Sequence, residues 1–146
     1  MKLKQLSVFL ENKPGCLRRA CSILADNHIN LITLSLADSD QFGILRIIVD
    51  NVEKAKAVLD TEGFVSKISD VIAVEVPDEP GGLNHVLKVV EDAGIGVEYM
   101  YAFTIKKGEN AVMLFYFSDV DKAIRALQNT NFTVLAGCEI FRRASC

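Results

Sequence analysis

Asn12-Lys13-Pro14-Gly15-Cys16-Leu17 recurs as Asp78-Glu79-Pro80-Gly81-Gly82-Leu83, 66 positions further on. Before the first copy, Leu6, Val8 and Leu10 alternate with Gln5 and Ser7, the period of a half-buried strand. After it, Leu17, Ala20, Cys21, Leu24 and Ala25 fall at helical spacing, and Pro14 suits a first helical turn. A strand that turns into a helix through Pro-Gly presents unpaired N–H groups and a partial positive charge. The chain therefore builds two backbone-lined anion sites.

The repeat spreads outward from these loops. The same offset pairs Leu24 with Val90, Asp26 with Asp92, and Ile29-Asn30-Leu31 with Ile95-Gly96-Val97. Two extra residues then enter the second copy near Lys107-Gly108, where a hairpin loop absorbs them. Beyond them, 68 positions apart, Val52-Glu53-Lys54-Ala55 matches Val120-Asp121-Lys122-Ala123, and Phe64 matches Phe132. Internal duplication follows, with domains 1–70 and 71–146. In the first, strands at Ile29–Ala37, Ile44–Val49 and Val65–Ser69 surround a second helix that ends at Gly63. In the second, the reading is Val71–Val76, Pro80–Ala93, Ile95–Lys106, Ala111–Phe117, Val120–Asn129 and Phe132–Phe141, with the last segment a strand. The order βαββαβ, twice, predicts an α+β fold: a duplicated ferredoxin-like sandwich, both helices of each half on one face of a four-stranded antiparallel sheet.

Composition narrows the function. The 146 residues are half hydrophobic with a net charge of −3, and mean hydropathy is +0.25. The longest apolar run, Ala111 to Phe117, is far too short to span a bilayer. Lys2 and Lys4 precede no signal-peptide pattern, so a cytoplasmic location is expected. Without a basic stripe, neither nucleic acid nor membrane is an expected partner. Leu31-Ile32 and Ile47-Ile48-Val49 make both sheet faces apolar. The face without helices is therefore expected to be covered by a second copy of the chain, with Arg46 at a solvated rim.

Catalytic constellations are missing from this pattern. His28 reads as a helix C-terminal residue in a left-handed backbone, and His85 as an exposed helix residue. No acidic partner is fixed beside either, so acid–base chemistry has no foundation and no enzyme activity is expected. Cys16 and Cys21 are five apart, and with Cys138 and Cys146 they form no C-x-x-C; no metal or cofactor is expected. Cys21 fits the core stripe. Tyr99, Tyr101 and Phe103 share one strand face, where packing is the expected role and lining a pocket or a subunit contact the alternative. A small ferredoxin-like enzyme would need an arginine in its phosphate-cradling loop. Arg18 and Arg19 lie after the loop, inside the helix, and have no counterpart in the second copy.

Two D-x-P-G-x-L-like loops after first strands, each followed beyond the helix by a G-I-N-like segment, resemble the ACT domain over the whole chain. The resemblance implies a free-standing tandem ACT protein that binds a free amino acid, or a similar small zwitterion, and regulates a biosynthetic enzyme. ACT domains pair side by side through their second strands into one eight-stranded sheet, with ligand at the seam. That implies one site from Asn12, Lys13, Pro14, Gly15, Cys16 and Leu17 facing the segment of Gly96, Glu98, Tyr99 and Met100. The other would set Asp78, Glu79, Pro80, Gly81, Gly82 and Leu83 against Asn30, Leu31 and Ile32. Amides at Gly15-Cys16 or Gly81-Gly82 would hold the carboxylate, and Asn12, Asn30 or Asp78 would accept from the ammonium. Glu98 would favour a basic ligand if it faced the pocket. The first loop has Asn12 where the family has Asp, and the second half has Gly96 where the first has Asn30. The sites are thus expected to be unequal, the Asp78/Asn30 pocket being the better one. A ligand-free interaction module and a small ferredoxin-like enzyme remain the alternatives.

Overall fold

The computed structural model describes residues 1–103 and 110–144. The elements run β1 (Leu3–Glu11), α1 (Cys16–Asp26), β2 (Leu31–Asp38), β3 (Phe42–Val49), α2 (Val52–Thr61), β4 (Val65–Pro77), α3 (Gly82–Asp92), β5 (Val97–Phe103), β6 (Asn110–Phe117), α4 (Val120–Gln128), β7 (Val134–Leu135) and α5 (Gly137–Ala144). Two compact units form, one of Lys4–Ser69 and one of Met1–Leu3 with Asp70–Cys146. The expected hairpin at Lys107-Gly108, the end of the strand ending at Lys106, and Cys146 lie outside the described residues.

In the Lys4–Ser69 unit the strand order is β2-β3-β1-β4, and both β3 pairings are antiparallel. Alternation decides which side each residue takes. Leu6, Val8 and Leu10 with Leu45 and Ile47 turn to one face, where they enclose Ala20 and Leu24 of α1 and Ala55 and Leu59 of α2. The opposite face is less uniformly apolar than the sequence predicts. Ser7 stands opposite Arg46, Arg46 is half-buried, and buried Gln5 donates from Nε2 to Ser7 Oγ at 3.3 Å. Cys21, expected in the core, is only half-buried, because Ala20 and Leu24 take the inward positions of α1.

The second unit repeats the plan in the order β7-β4-β6-β5. Ile72, Val74, Val76, Phe115 and Phe117 pack on Val86 and Val90 of α3 and Ala123 and Leu127 of α4. Two expectations need correction. The segments Val65–Ser69 and Val71–Val76 are one uninterrupted strand, β4, since Ser69-Asp70 supplies no turn chemistry. Seven strands rather than eight are therefore found among the described residues. The final strand, expected over Phe132–Phe141, is only Val134–Leu135, and helix α5 follows. Glu139 pairs with Arg143 one helical turn on, and Arg143 also reaches Glu75 on β4, a set of contacts only a helix allows.

Candidate functional site

Both Pro-Gly loops fold as the same turn. Cys16 N–H donates to the Lys13 carbonyl at 3.3 Å, and Gly82 N–H to the Glu79 carbonyl at 3.1 Å. Gly15 has φ 91° and ψ −17°, and Gly81 φ 89° and ψ −10°. These are the third-position angles of a type II turn with proline second, a conformation that selects glycine. The two prolines sit in the turn, ahead of α1 and α3 rather than in their first helical turn. The turn bond also removes two expected donors, the amides of Cys16 and Gly82. The helical ladders begin at Arg19 N–H to Gly15 at 2.9 Å, and His85 N–H to Gly81 at 3.1 Å. The amides of Leu17 and Arg18, and of Leu83 and Asn84, precede those ladders and point from the helix starts.

The four principal helices differ in how they begin. Asn51 caps α2 by accepting from Lys54 N–H at 3.0 Å, and Asp119 caps α4 by accepting from Lys122 N–H at 2.9 Å. Each of those helices also carries an acid in its first turn, Glu53 or Asp121. Helices α1 and α3 have neither a side-chain cap nor a first-turn acid. Asp78, which could have served as a cap, lies outside the capping position held by Gly81. The partial positive charge at the starts of α1 and α3 thus meets no cap or first-turn acid of the kind that α2 and α4 have.

The second-strand segments share a device as well. In β2, Leu31 pairs with Val49 and Thr33 with Ile48, leaving Ile32 as an extra residue. In β5, Val97 pairs with Phe117 and Tyr99 with Tyr116, leaving Glu98 as the extra one. These bulges occupy matching positions and twist each strand just where the sequence placed ligand contacts. Just before each bulge the chain is pinned in both units. Asn30 N–H donates to Asp50 Oδ1 at 3.2 Å and Gly96 N–H to Ser118 Oγ at 3.0 Å. Tyr99 stacks on Tyr116 with centroids 4.9 Å apart. Each helix leads into its second strand through a left-handed residue, His28 (φ 57°) and Gly94 (φ 67°).

Two cavities open in the Lys4–Ser69 unit. One, of about 430 Å³, brings Asn12 and Lys13 together with Glu11, Asp40, Gln41 and Phe42. The Asn12 N–H donates to the Gln41 carbonyl at 3.1 Å, tying the loop to the β2–β3 hairpin. The other, of about 280 Å³, is walled by Phe9, Glu11, Cys16, Arg19, Phe42 and Val65 among others. Lys13 Nζ lies 2.6 Å from Glu11, and this hydrogen bond holds the Glu11 carboxyl below the ordinary range. Arg19 donates to the Glu62 carbonyl at 2.8 Å and lies over the Phe64 ring at 4.9 Å. Of the expected residues, Asn12–Leu17 and Asn30–Ile32 belong to this unit, and Asp78–Leu83 and Gly96–Met100 to the other. Phe9, Glu11, Arg19, Asp40, Phe42 and Val65 were not anticipated. Their signal is visible in the repeat, where the positions of Phe9, Phe42 and Val65 become Glu75, Asn110 and Thr133. Among the described residues no cluster of three metal-ligating side chains occurs, and no helix is long and apolar enough to cross a membrane.

The family model for an ACT domain pair matches residues 1–142. The chain belongs to the ACT domain family. A solved structure of protein BT0572 from Bacteroides thetaiotaomicron is 37% identical, covers 97% of each chain and superposes with a TM-score of 0.89. The ligand-free regulatory subunit of aspartate kinase from Thermus thermophilus is 15% identical over 86% of this chain and 90% of its own, with a TM-score of 0.62. The corresponding subunit from Thermus flavus gives 15%, 84%, 88% and 0.61. At that identity the likeness is one of fold. Among curated proteins none matches the chain. ACT domain pairs are a type that typically binds amino acids for regulation, and the duplicated ferredoxin-like architecture is theirs.

Proposed function

We propose that the chain is an amino-acid sensor whose helix starts α1 and α3 each receive the carboxylate of a small zwitterion. The observation that carries this reading is the contrast among helices of one chain. Two are closed by Asn51 and Asp119, while the two behind Pro-Gly loops are left without cap or acid. The donors are the amides of Leu17 and Arg18, or of Leu83 and Asn84. Asn12 beside the first loop and Asp78 beside the second carry side-chain oxygens of the kind that accept from the ammonium. Charge-assisted hydrogen bonds contribute roughly 1.5–3 kcal/mol each, so a few suffice for micromolar binding at about −8 kcal/mol. The second loop is the stronger of the two, because it carries the carboxylate Asp78 where the first has the neutral Asn12.

The sensor acts as a homodimer in the cytoplasm and regulates a biosynthetic enzyme. Leu34 and Leu36 are 53% and 49% exposed on β2, an edge strand of its unit, and such an edge invites a second strand. Ligand at the seam then shifts the dimer's equilibrium by its differential affinity. Native mass spectrometry of the protein as isolated, then with each amino acid added, tests the reading. An adduct of amino-acid mass is expected on the dimer. A bare mass under every addition would contradict it.

A further inference from the structure

Phe9, Phe42 and Val65 break the symmetry of the two units. At the matching positions the second unit has Glu75, Asn110 and Thr133, and there Glu75 is engaged by Arg143 of α5. In the first unit the three side chains stay 41%, 51% and 68% exposed. A gathering of exposed aromatic and aliphatic surface marks a place where something binds. They do not form a flat patch. With Glu11, Cys16 and Arg19, and with Phe64 contributing from behind the end of α2, they wall a pit of about 280 Å³.

The chemistry of the walls sets the class of ligand. Three phenylalanine rings ask for an apolar body, preferably one with a ring edge or face of its own. The charges are opposite in sign: the Glu11 carboxylate and the Arg19 guanidinium. Arg19 is held in place by its hydrogen bond to the Glu62 carbonyl and by the Phe64 ring beneath it, which lowers the ordering cost of binding. Its ion pair with the Glu62 carboxylate is long, 3.5 Å, and both side chains are more than half exposed. The Glu11–Lys13 pair is likewise exposed. Ion pairs in such settings are weak and give way to a better-placed partner. A fatty acid would meet Glu11 unfavourably, and an apolar amine would leave Arg19 unused. The volume, at the small end of ligand cavities, excludes a nucleotide.

We infer that this pit is a ligand site belonging to the first unit alone, for an α-amino acid with a large apolar side chain. The side chain enters among Phe9, Phe42, Phe64 and Val65; the ammonium meets Glu11 and the carboxylate meets Arg19. The site goes beyond the loop-and-strand reading: of the loop residues it includes Cys16, and it shares the walls Glu11 and Phe42 with the neighbouring cavity of Asn12 and Lys13. It gives the first unit a selectivity that the second, with Glu75, Asn110 and Thr133 in those places, does not have.

Isothermal titration of the full chain with L-phenylalanine, L-leucine, glycine and phenethylamine tests this. The variants are Phe42→Ala, whose exposed ring can be removed without opening the core, and Asp78→Ala in the other unit. Wild type is expected to bind L-phenylalanine about tenfold or more tighter than glycine or phenethylamine. Phe42→Ala should weaken L-phenylalanine about tenfold, and Asp78→Ala should leave it unchanged. Equal binding of L-phenylalanine to wild type and Phe42→Ala, or none at millimolar concentration, overturns the pit. If another amino acid then binds wild type and is weakened by Asp78→Ala, the loop reading stands without the pit. If only the Phe42-dependent binding is seen, the pit stands and the loop reading falls.

Discussion

An ideal Cβ placed on Gly82 would stand 2.2 Å from the carbonyl oxygen of Pro77. The second Pro-Gly loop is therefore folded tightly onto the end of β4, and the obstruction is backbone, which cannot swing aside. At the matching position the first loop carries Cys16 and its side chain. Gly82→Ala is expected to destabilise the protein by about 1–3 kcal/mol, the range of overpacking, read as a lowered urea midpoint. Gly15→Ala meets nothing within 4 Å but must adopt φ +91°. Its cost is strain alone, of order 1–3 kcal/mol. A Gly82→Ala variant as stable as wild type would show that the loop is looser than this.

The open ends of α1 and α3 make a second prediction, in which stability and binding move in opposite directions. Arg18 is exposed in the first turn of α1. Arg18→Glu places an acid at a positive helix end and should stabilise by about 0.3–1 kcal/mol. The same carboxylate occupies the space of the ligand's, so amino-acid affinity at that end should fall by about fivefold or more, roughly 1 kcal/mol. Paired thermal melts and titrations check it. Unchanged affinity in a stabilised variant would mean that this helix start does not hold the carboxylate.

Arg143 links α5 to β4, reaching both Glu75 and Glu139. All three side chains are mostly buried, at 30%, 18% and 31% exposure. Arg143→Met keeps the apolar stem and removes the charge, leaving Glu75 without this cation. The expected loss is about 1–2 kcal/mol, between the values for exposed and for buried pairs, with faster proteolysis of α5 as a local readout.

Lys2 and Asp121 are joined at 2.9 Å, so the amino-terminal residues are tied to the start of α4. The Lys2 hydrogen bond holds the Asp121 carboxyl below its ordinary value. A carboxyl lowered in the folded state contributes stability above its unfolded value, lost as pH falls through the folded one. Wild type should thus exceed Asp121→Asn in urea melts at neutral pH. The difference should vanish as the solution is acidified past the usual carboxylate range, and shrink in high salt.

The duplicated architecture was legible because its signals are local. Leu6, Val8 and Leu10 alternate, Pro14-Gly15 and Pro80-Gly81 force turns, and His28 and Gly94 mark helix ends, all within a few residues. The last element misled for the same reason. Val134, Ala136, Cys138 and Ile140 alternate as a strand would, and so short a window does not separate strand from helix. What settles it is Glu75, more than sixty positions away in sequence, which holds Arg143 on α5. The turn bonds that consume the Cys16 and Gly82 amides follow from the type II geometry, which Pro-Gly encodes. The pit could not be read directly, because Phe9, Phe42 and Val65 come from three strands and meet only in the folded unit. Comparing the two halves at those positions, apolar in one and polar in the other, was the available clue.

The most direct test of amino-acid sensing is a thermal-shift screen of the full chain against the twenty amino acids, each well above the expected dissociation constant. Binding stabilises by RT ln(1 + [L]/Kd), about 2.7 kcal/mol at a hundredfold excess, and for a chain of 146 residues that moves Tm by several degrees. At least one amino acid should raise Tm in this way, and by less in Arg18→Glu. A melting temperature that none of the twenty moves would contradict the account.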